Sequence, residues 1–511
     1  MEAGAAATER LFKAALPAGC PWGAGGGMWV LGVDACYCPK NAVPLSALSC
    51  YFSSTVANHS KNLPIAVLGA GLTGLSAAYR LAQAGRRVVV FDSAPAPGGV
   101  IRSERRPEGW LIETGPNSLQ ETPFVAALIR ELGLSQSRVV AAPAAKNRYI
   151  IRDGQLRALP TSPPGFLTSR TFTLGTKIRL LREYFHPRLP RLADVSLATF
   201  IREHFGQELV DYALDPFVSG IYAGDPARLS ARHAFPALWK AEAEHGSLIR
   251  AQIASARAKR ARGEPSGPPP IISFSEGLAT LPLALAASLP ADSLRLSCPV
   301  EQLTPAPGGW FIDAAPHERF YRVILALPAP ALARLRLGAL GQPTSLASLD
   351  HLEHPPVTSL FMGYRREDVA HELDGFGALL PSCERRSLLG VLFNSTLFPG
   401  RAPHGHVALT VMLGGTRSPE LAQLPIDKQI ALVQKELRSL LGVREEPVFT
   451  SRTHWPQAIP QYLLNQDEHL QVLASAEKRC PGLLIGGPVR DGIGLPACLA
   501  AGERLAKAAL A

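Results

Sequence analysis

The stretch IAVLGAGLTGLSAAYRLAQAG, residues 65–85, constrains the fold more than any other. Ile65–Leu68 form an apolar strand, Gly69, Gly71 and Gly74 follow at G-x-G-x-x-G spacing with Ala70, Leu72 and Thr73 between them, and a small-residue helix runs on to Gly85. The first glycine permits the tight turn, the second lets backbone approach a pyrophosphate, and the third lets helix pack on strand. The helix N-terminus then offers unpaired N–H groups and its positive dipole end to the phosphates. A second strand, RRVVVFD, ends in Asp92, 18 residues after Gly74, where a carboxylate accepts hydrogen bonds from ribose hydroxyls. Strand, turn, helix, strand and acid in that order predict a dinucleotide site.

NAD and FAD both satisfy this fingerprint, and the residues that follow separate them. Gly98, Gly99 and Val100, with Arg102 and Ser103 close behind, match the second glycine motif of flavoproteins, where the chain again runs close to the cofactor. The other end of the chain, PGLLIGGPVRDGIGLPACLAAGERLAKAAL at 481–510, reads as a short strand, a glycine-rich bend and a terminal helix. Amine-oxidase-like flavoproteins close their FAD site in this way. Nucleotide-binding segments at both ends predict a discontinuous FAD domain with other domains inserted.

A chain of 511 residues that is 47% hydrophobic is long enough for two to four domains. Lys and Arg (52) outnumber Asp and Glu (42), a surplus compatible with acidic small molecules, anionic lipid or nucleic acid. The eight cysteines show no metal-ligand spacing and read as reduced, structural thiols. Pro and Arg break every apolar run before it could span a bilayer. Residues 1–62 stand apart: rich in Ala, Gly and Pro, with four of the cysteines and no sustained period, they read as a targeting segment or a disordered leader.

On the strings GGVIRS, ETGPNS, NRYIIRDGQLRALP, FVSGIYAGDP, SFSEGLATLP, FPGRAP and GIGLPACLAAG, the chain resembles the oxygen-dependent, FAD-containing protoporphyrinogen oxidases from about residue 63 to the end. The resemblance implies that Gly69 to Gly74, Asp92 and Ser93 hold the ADP half and that Val300 meets the adenine by its backbone. It places Gly115, Pro116, Asn117 and Ser118 along the flavin, brings Trp455 near it, and closes Ile493, Gly494 and Leu495 over it. It implies catalytic positions for Asn117, near the reacting carbon, and for Arg148, pairing with a propionate of the tetrapyrrole, as a planar permanent cation does well. Leu379 and Phe393 are implied to grip the macrocycle, with Gly220 lining the same cavity. The implied partners are protoporphyrinogen IX, dioxygen, a membrane surface and a second copy of the chain, with no metal and no nucleic acid. LLNQDEHLQ, after AIPQY, departs from the family pattern.

The expected fold class is α/β (α+β multidomain): a Rossmann-like FAD domain with an inserted substrate-binding sheet domain and a helical membrane-associated domain. The expected boundaries are a leader at 1–62, FAD-domain parts at 63–144, 258–330 and 456–511, a helical insert at 145–257 and a sheet domain at 331–455. In the insert, Arg170, Lys177, Arg179, Arg182, Arg188 and Arg191 lie close in sequence to Phe172, Leu180, Leu181, Tyr184 and Phe185. That mixture suits either an anionic membrane surface or a solvated helix face. Rival activities within the same reading are coproporphyrinogen III oxidation and other amine-oxidase-like FAD chemistry.

Overall fold

The computed structural model describes residues 62–160, 163–187, 191–263, 267–339 and 342–511. The leader reading for 1–61 and the position of Arg188 lie outside the described residues.

The strand before the glycine turn sits inside a parallel five-stranded sheet ordered Leu294–Arg295, Val88–Phe91, Ile65–Leu68, Val323–Leu325, Leu483–Ile485. Apart from the edge pair Leu294–Arg295, its strands read as unbroken apolar runs because both faces are covered. Ile65, Val67, Val88, Val90 and Ile324 point to a layer containing the first helix, Leu72–Gln83, and the last, Leu495–Leu510. Ala66, Leu68, Val89, Phe91 and Val323 point the other way, to a second layer with Trp310, Phe320 and Leu473. Helices from near the two ends of the described chain meet in the first layer. Gly502 of the last helix has no room for a Cβ, which would lie 2.5 Å from Thr73 O, and Ser76 Oγ donates to Leu499 O at 2.9 Å. Small residues on both helices therefore bring backbone against backbone, which is why the domain closes only when the C-terminus has returned.

A seven-stranded sheet forms the second unit, ordered Phe449–Trp455, Val357–Arg365, His406–Gly414, Gly390–Leu392, Gly375–Leu379, Asn147–Arg152, Gln155–Ala158. One face, with Leu360, Met362, Tyr364, Leu409 and Val411, packs on the helix Ile426–Leu441. The opposite face meets the hairpin Ser103–Arg105/Leu111–Glu113 through Trp110, Ile112, Phe361 and Ala408. Two boundaries differ from the sequence reading. Residues 147–158 form the last two strands of this sheet rather than the start of the helical insert, because Arg148–Ile150 pair in parallel with Gly377–Leu379. Strands Arg336–Ala339 and Gln342–Thr344 join the 302–320 strands against the nucleotide sheet rather than opening the sheet domain.

The remaining insert is helical, from Pro163–Thr168 to Leu248–Ala261, around Leu197, Phe200, Val218 and Tyr222. Helix Leu174–Glu183 leaves Leu174 (72% exposed), Ile178 and Leu181 uncovered, with Phe185 (78%) just beyond it. Arg170, Arg179 and Arg182 are exposed beside them, whereas Phe172 is buried and stacks on Phe166. Among the described residues no helix is long and apolar enough to cross a membrane.

Candidate active site

The three glycines of the first turn do different jobs. Gly69 adopts φ +104°, and a Cβ there would lie 2.5 Å from Ala326 O. A Cβ on Gly74 would lie 1.9 Å from Gly69 O, so this glycine lets the helix sit on the turn. A Cβ on Gly71 would meet nothing within 4 Å. Gly69 and Gly74 are required by the protein's own packing, and Gly71 faces open space beside the N-terminus of the first helix. That N-terminus has no side-chain cap and no acidic residue in its first turn. A diphosphate fits there: the N–H groups are free, and the only glycine without an internal reason is the one a bound phosphate would explain.

The second glycine motif rests directly on the first. Gly98 N donates to Ala70 O at 2.8 Å, and a Cβ on Gly99 would sit 3.4 Å from Gly71 Cα. Val100 lies at the open rim, and Arg102 Nε reaches back to Gly99 O at 3.2 Å. Asp92 ties the turn to the second strand, accepting from Ala70 N at 2.6 Å through one oxygen and from Ala94 N at 2.8 Å through the other. Each oxygen keeps a further lone pair. Asp92, Ser93 and Val300 line one cavity of about 450 Å³, closed by Leu68, Phe91 and Leu327. The adjacent pair Asp92–Ser93 and the distant Val300 thus converge on a slot with apolar walls and a carboxylate in its lining, which suits a purine nucleoside.

The segment Gly115–Ser118 is pressed against the same motif, since a Cβ on Gly115 would lie 2.1 Å from Val100 O. Trp455 Nε1 donates to Thr114 O at 2.9 Å, fixing the end of the sheet's first strand to it. The last helix begins at Gly494, again without a side-chain cap or a first-turn acid. Ile493 packs on the core of the helical insert, and Leu495 on the core of the nucleotide domain. The glycine bend before them approaches the first turn, with Gly487 within 3.5 Å of Thr73 Oγ1 as a Cβ would measure it. These residues fit an FAD: a cradle for the diphosphate, a slot for the adenine and an uncapped helix end beyond.

Register settles where the other candidates lie. Ile150, Leu379, Gly390, Met412, Ser359 and Thr453 form one row across the sheet, so Leu379 lies on the face that also carries Arg148 and Trp455. Gly220 of the helical insert meets it there: a Cβ on Gly220 would lie 2.5 Å from Leu379 Cδ2. Arg148 is exposed, stacks 4.8 Å over the Phe376 ring and has no ion pair among the described residues. Its charge is therefore available to an external carboxylate.

Phe393 does not join them. It is 0% exposed and packs on Tyr149 and His371, within the buried cluster of the opposite, helix-covered face. The apolar position foreseen as a grip is a core residue of the sheet. Sequence reasoning missed Asn394, next to Phe393 in FNSTLFPGRAP, which donates through Nδ2 to Asn117 Oδ1 at 2.7 Å. It also missed the work of Arg401 in the same string, buried against Glu113 at 3.2 Å and donating to Ser273 Oγ at 2.5 Å. A buried polar residue amid an apolar string was the available signal in both cases.

The sequence matches the family described as flavin containing amine oxidoreductase over residues 72–510. It is 34% identical to the mitochondrial protoporphyrinogen oxidase of Nicotiana tabacum, covering 87% of this chain and 94% of that one. It is 31% identical to the protoporphyrinogen oxidase of Bos taurus (86% and 97%) and 25% identical to the coproporphyrinogen III oxidase of Bacillus subtilis (87% and 97%). Among solved structures it is similar to one from Exiguobacterium sp. 255-15 (TM-score 0.73, 23% identity, 87% and 98% covered). It is also similar to the cyclohexylamine oxidase of Brevibacterium oxydans IH-35A (TM-score 0.62, 16% identity, 88% and 98%). At these identities the solved structures speak for the fold alone.

Proposed function

The chain belongs to the flavin-containing amine oxidoreductases, and from that membership we propose that it oxidises protoporphyrinogen IX to protoporphyrin IX using FAD. Bound FAD would supply a two-electron acceptor, three rounds removing six electrons and six protons, with dioxygen carrying the electrons away as hydrogen peroxide.

The chain's own residues bind, orient and exclude water. The uncapped N-terminus after Gly71 and the cavity of Asp92, Ser93 and Val300 would hold the cofactor's ADP half. Arg148 would take a propionate bidentately, fixing which edge of the macrocycle points inward. Leu379, backed by Gly220, offers an apolar surface to a pyrrole ring, and Asn117 offers an amide close to the reacting carbon. The observation that carries this reading is the coincidence of Arg148, without an ion pair among the described residues, Leu379 and Trp455 on one sheet face, with Trp455 bonded to Thr114, next to the Gly115–Asn117 segment.

The uncovered row Leu174, Ile178, Leu181 and Phe185, flanked by Arg170, Arg179 and Arg182, supports contact with one leaflet of an anionic membrane. A homodimer is proposed on resemblance alone. Mitochondrial and chloroplastic relatives support an organelle location if residues 1–62 are a targeting segment.

The test offers the purified flavoprotein protoporphyrinogen IX and coproporphyrinogen III in parallel, reading porphyrin fluorescence and peroxide, with R148A beside the wild type. Faster turnover of the first substrate, with KM raised at least about tenfold in R148A, is the expected result. Preference for the second substrate would move the chain to the coproporphyrin reaction, and turnover of neither would reject both.

A further inference from the structure

Asn117 and Asn394 come from different units, the first from the segment beside the glycine motifs and the second from the short turn of helix Asn394–Leu397 that follows the sheet strand Gly390–Leu392. Their amides are joined. Asn394 Nδ2 donates to Asn117 Oδ1 at 2.7 Å, and Asn117 Nδ2 donates to Gly115 O at 3.2 Å. An amide has two N–H donors and one carbonyl acceptor. Asn117 therefore has its oxygen drawn to Asn394 and one N–H to Gly115, and with the oxygen held on that side its second N–H is the donor left over on a half-buried side chain.

Asn394 itself is 3% exposed, and its Oδ1 is buried without a hydrogen-bond partner. A buried amide with an unsatisfied oxygen weakens a fold, and an apolar side chain of similar shape would remove that cost. Nothing in the local packing asks for an asparagine: the short helix is held by Phe398 N to Asn394 O and by Thr396 Oγ1 to Leu373 O, and neither uses the Asn394 amide. Among the described residues, the one hydrogen bond that does use it is the one to Asn117.

We propose that Asn394 is a positioning residue that orients the Asn117 amide, so that Asn117 presents an N–H and not its carbonyl to the bound cofactor and substrate. This rests on the reading above that Asn117 lies beside them. Two restraints act together. Gly115 O repels the Asn117 oxygen and attracts its N–H, and Asn394 attracts the oxygen from the opposite side. Loss of Asn394 leaves the amide held from one side, free to swing about its χ angles, and a donor that wanders loses most of its value to a reaction.

The experiment compares N394L, N394D, N117L and the double variant N117L/N394L as full-length, FAD-loaded protein. N394L keeps the branching and the number of side-chain heavy atoms and removes the donor. N394D is nearly isosteric but can only accept, so it draws the Asn117 N–H toward itself and turns the amide round. The expected result is that both Asn394 variants lose about tenfold or more in kcat while KM changes by less than about twofold. N394L should melt no lower than the wild type, which a purely structural role would not produce. The double variant should be no slower than N117L alone, since the effect of Asn394 passes through Asn117. Retention of kcat within about twofold in N394L, or a double-variant loss equal to the product of the two single losses, would overturn the proposal. Should the wild type oxidise neither porphyrinogen, the proposed function fails, and Asn394 is then judged on the visible absorption of bound flavin. N394D and N117L should displace those bands alike, and spectra of N394D identical to wild type would overturn the role.

Discussion

Where helix Leu72–Gln83 crosses the last, Gly502 lies against Thr73, Ser76 and Ala77, with main chain touching main chain. Where helix Leu197–Phe205 meets its neighbours in the insert, buried charge is added to the apolar contacts of Leu197, Phe200 and Ile201. His204, fully buried, lies 2.8 Å from a Glu183 oxygen through Nδ1 and 3.0 Å from a Glu242 oxygen through Nε2, and Arg191 reaches Glu242 at 2.6 Å. The difference follows from what each region has to do. A cradle for a diphosphate must bring main-chain N–H groups close to the ligand, which forbids side chains. The insert exposes Leu174, Leu181 and Phe185, and its helices are fixed by directional, hydrogen-bonded pairs as well as by its apolar core.

The buried carboxylates sharpen the contrast. Burial pushes Glu113 above the usual carboxylate range, and Arg401, Ser103 and the Leu278 N–H only partly offset it. Burial acts in the same sense on Glu183, but hydrogen bonds from His204, Ser247 and the N–H groups of Leu248 and Ile249 outweigh it and hold this carboxyl below its ordinary value. Glu183 thus closes the N-terminus of helix Leu248–Ala261.

The comparison breaks most severely at the first turn. G74V forces a Cβ into Gly69 O and should abolish soluble, FAD-loaded protein. G71A should leave the melting temperature of FAD-free protein unchanged and weaken FAD binding about tenfold or more, read by quenching of flavin fluorescence. A fall in the FAD-free melting temperature for G71A would contradict its assignment to the ligand.

Next in size is R401M, which strands the Glu113 carboxylate in the interface between the hairpin and the sheet. It should cost about 3–5 kcal/mol in denaturant unfolding, and E113Q in the same chain should recover most of that loss. H204A should cost about 3 kcal/mol, because Glu183 and Glu242 then face each other without the imidazole between them.

Acid separates the two regions by sign. A carboxyl held below its ordinary value adds stability above pH 4.5, and that stability is lost as pH falls through its folded pKa. Glu113, pushed up, binds its proton more tightly in the folded state, so acidification does not withdraw support there. Hydrogen exchange below pH 4.5 should therefore release the Leu248 and Ile249 amides before that of Leu278. The smallest expected effect is at the surface. The pair L181S and F185S should lower partition onto anionic vesicles about tenfold while leaving turnover in detergent within about twofold.

The nucleotide domain was legible because its chemistry is local: a strand, a turn and a helix carry their own glycines, and Asp92 closes the pattern within 18 residues. Arg148, Leu379 and Gly220 were legible as types, but their meeting depends on sheet register, which pairs residues 147–150 with 375–379 across more than two hundred positions. The same register sends Tyr149 and Ile151 to the other face, where Phe393 joins them, and no periodicity around residue 393 announces that. Strands 147–158 were read into a helical insert because they precede it in the chain while pairing with a sheet assembled later. Asn394 was invisible because the amide it bonds, that of Asn117, lies 277 residues away.

The central claim, that two glycine motifs and a returning C-terminal helix hold an FAD which takes electrons from a porphyrinogen, is tested most directly without oxygen. Protoporphyrinogen IX is titrated anaerobically into the purified flavoprotein while flavin absorbance and porphyrin fluorescence are followed together. The account predicts that the visible flavin band bleaches, with three flavins reduced for each porphyrin formed, and that admitting air restores the band and releases peroxide. A flavin that keeps its band through the titration would contradict it.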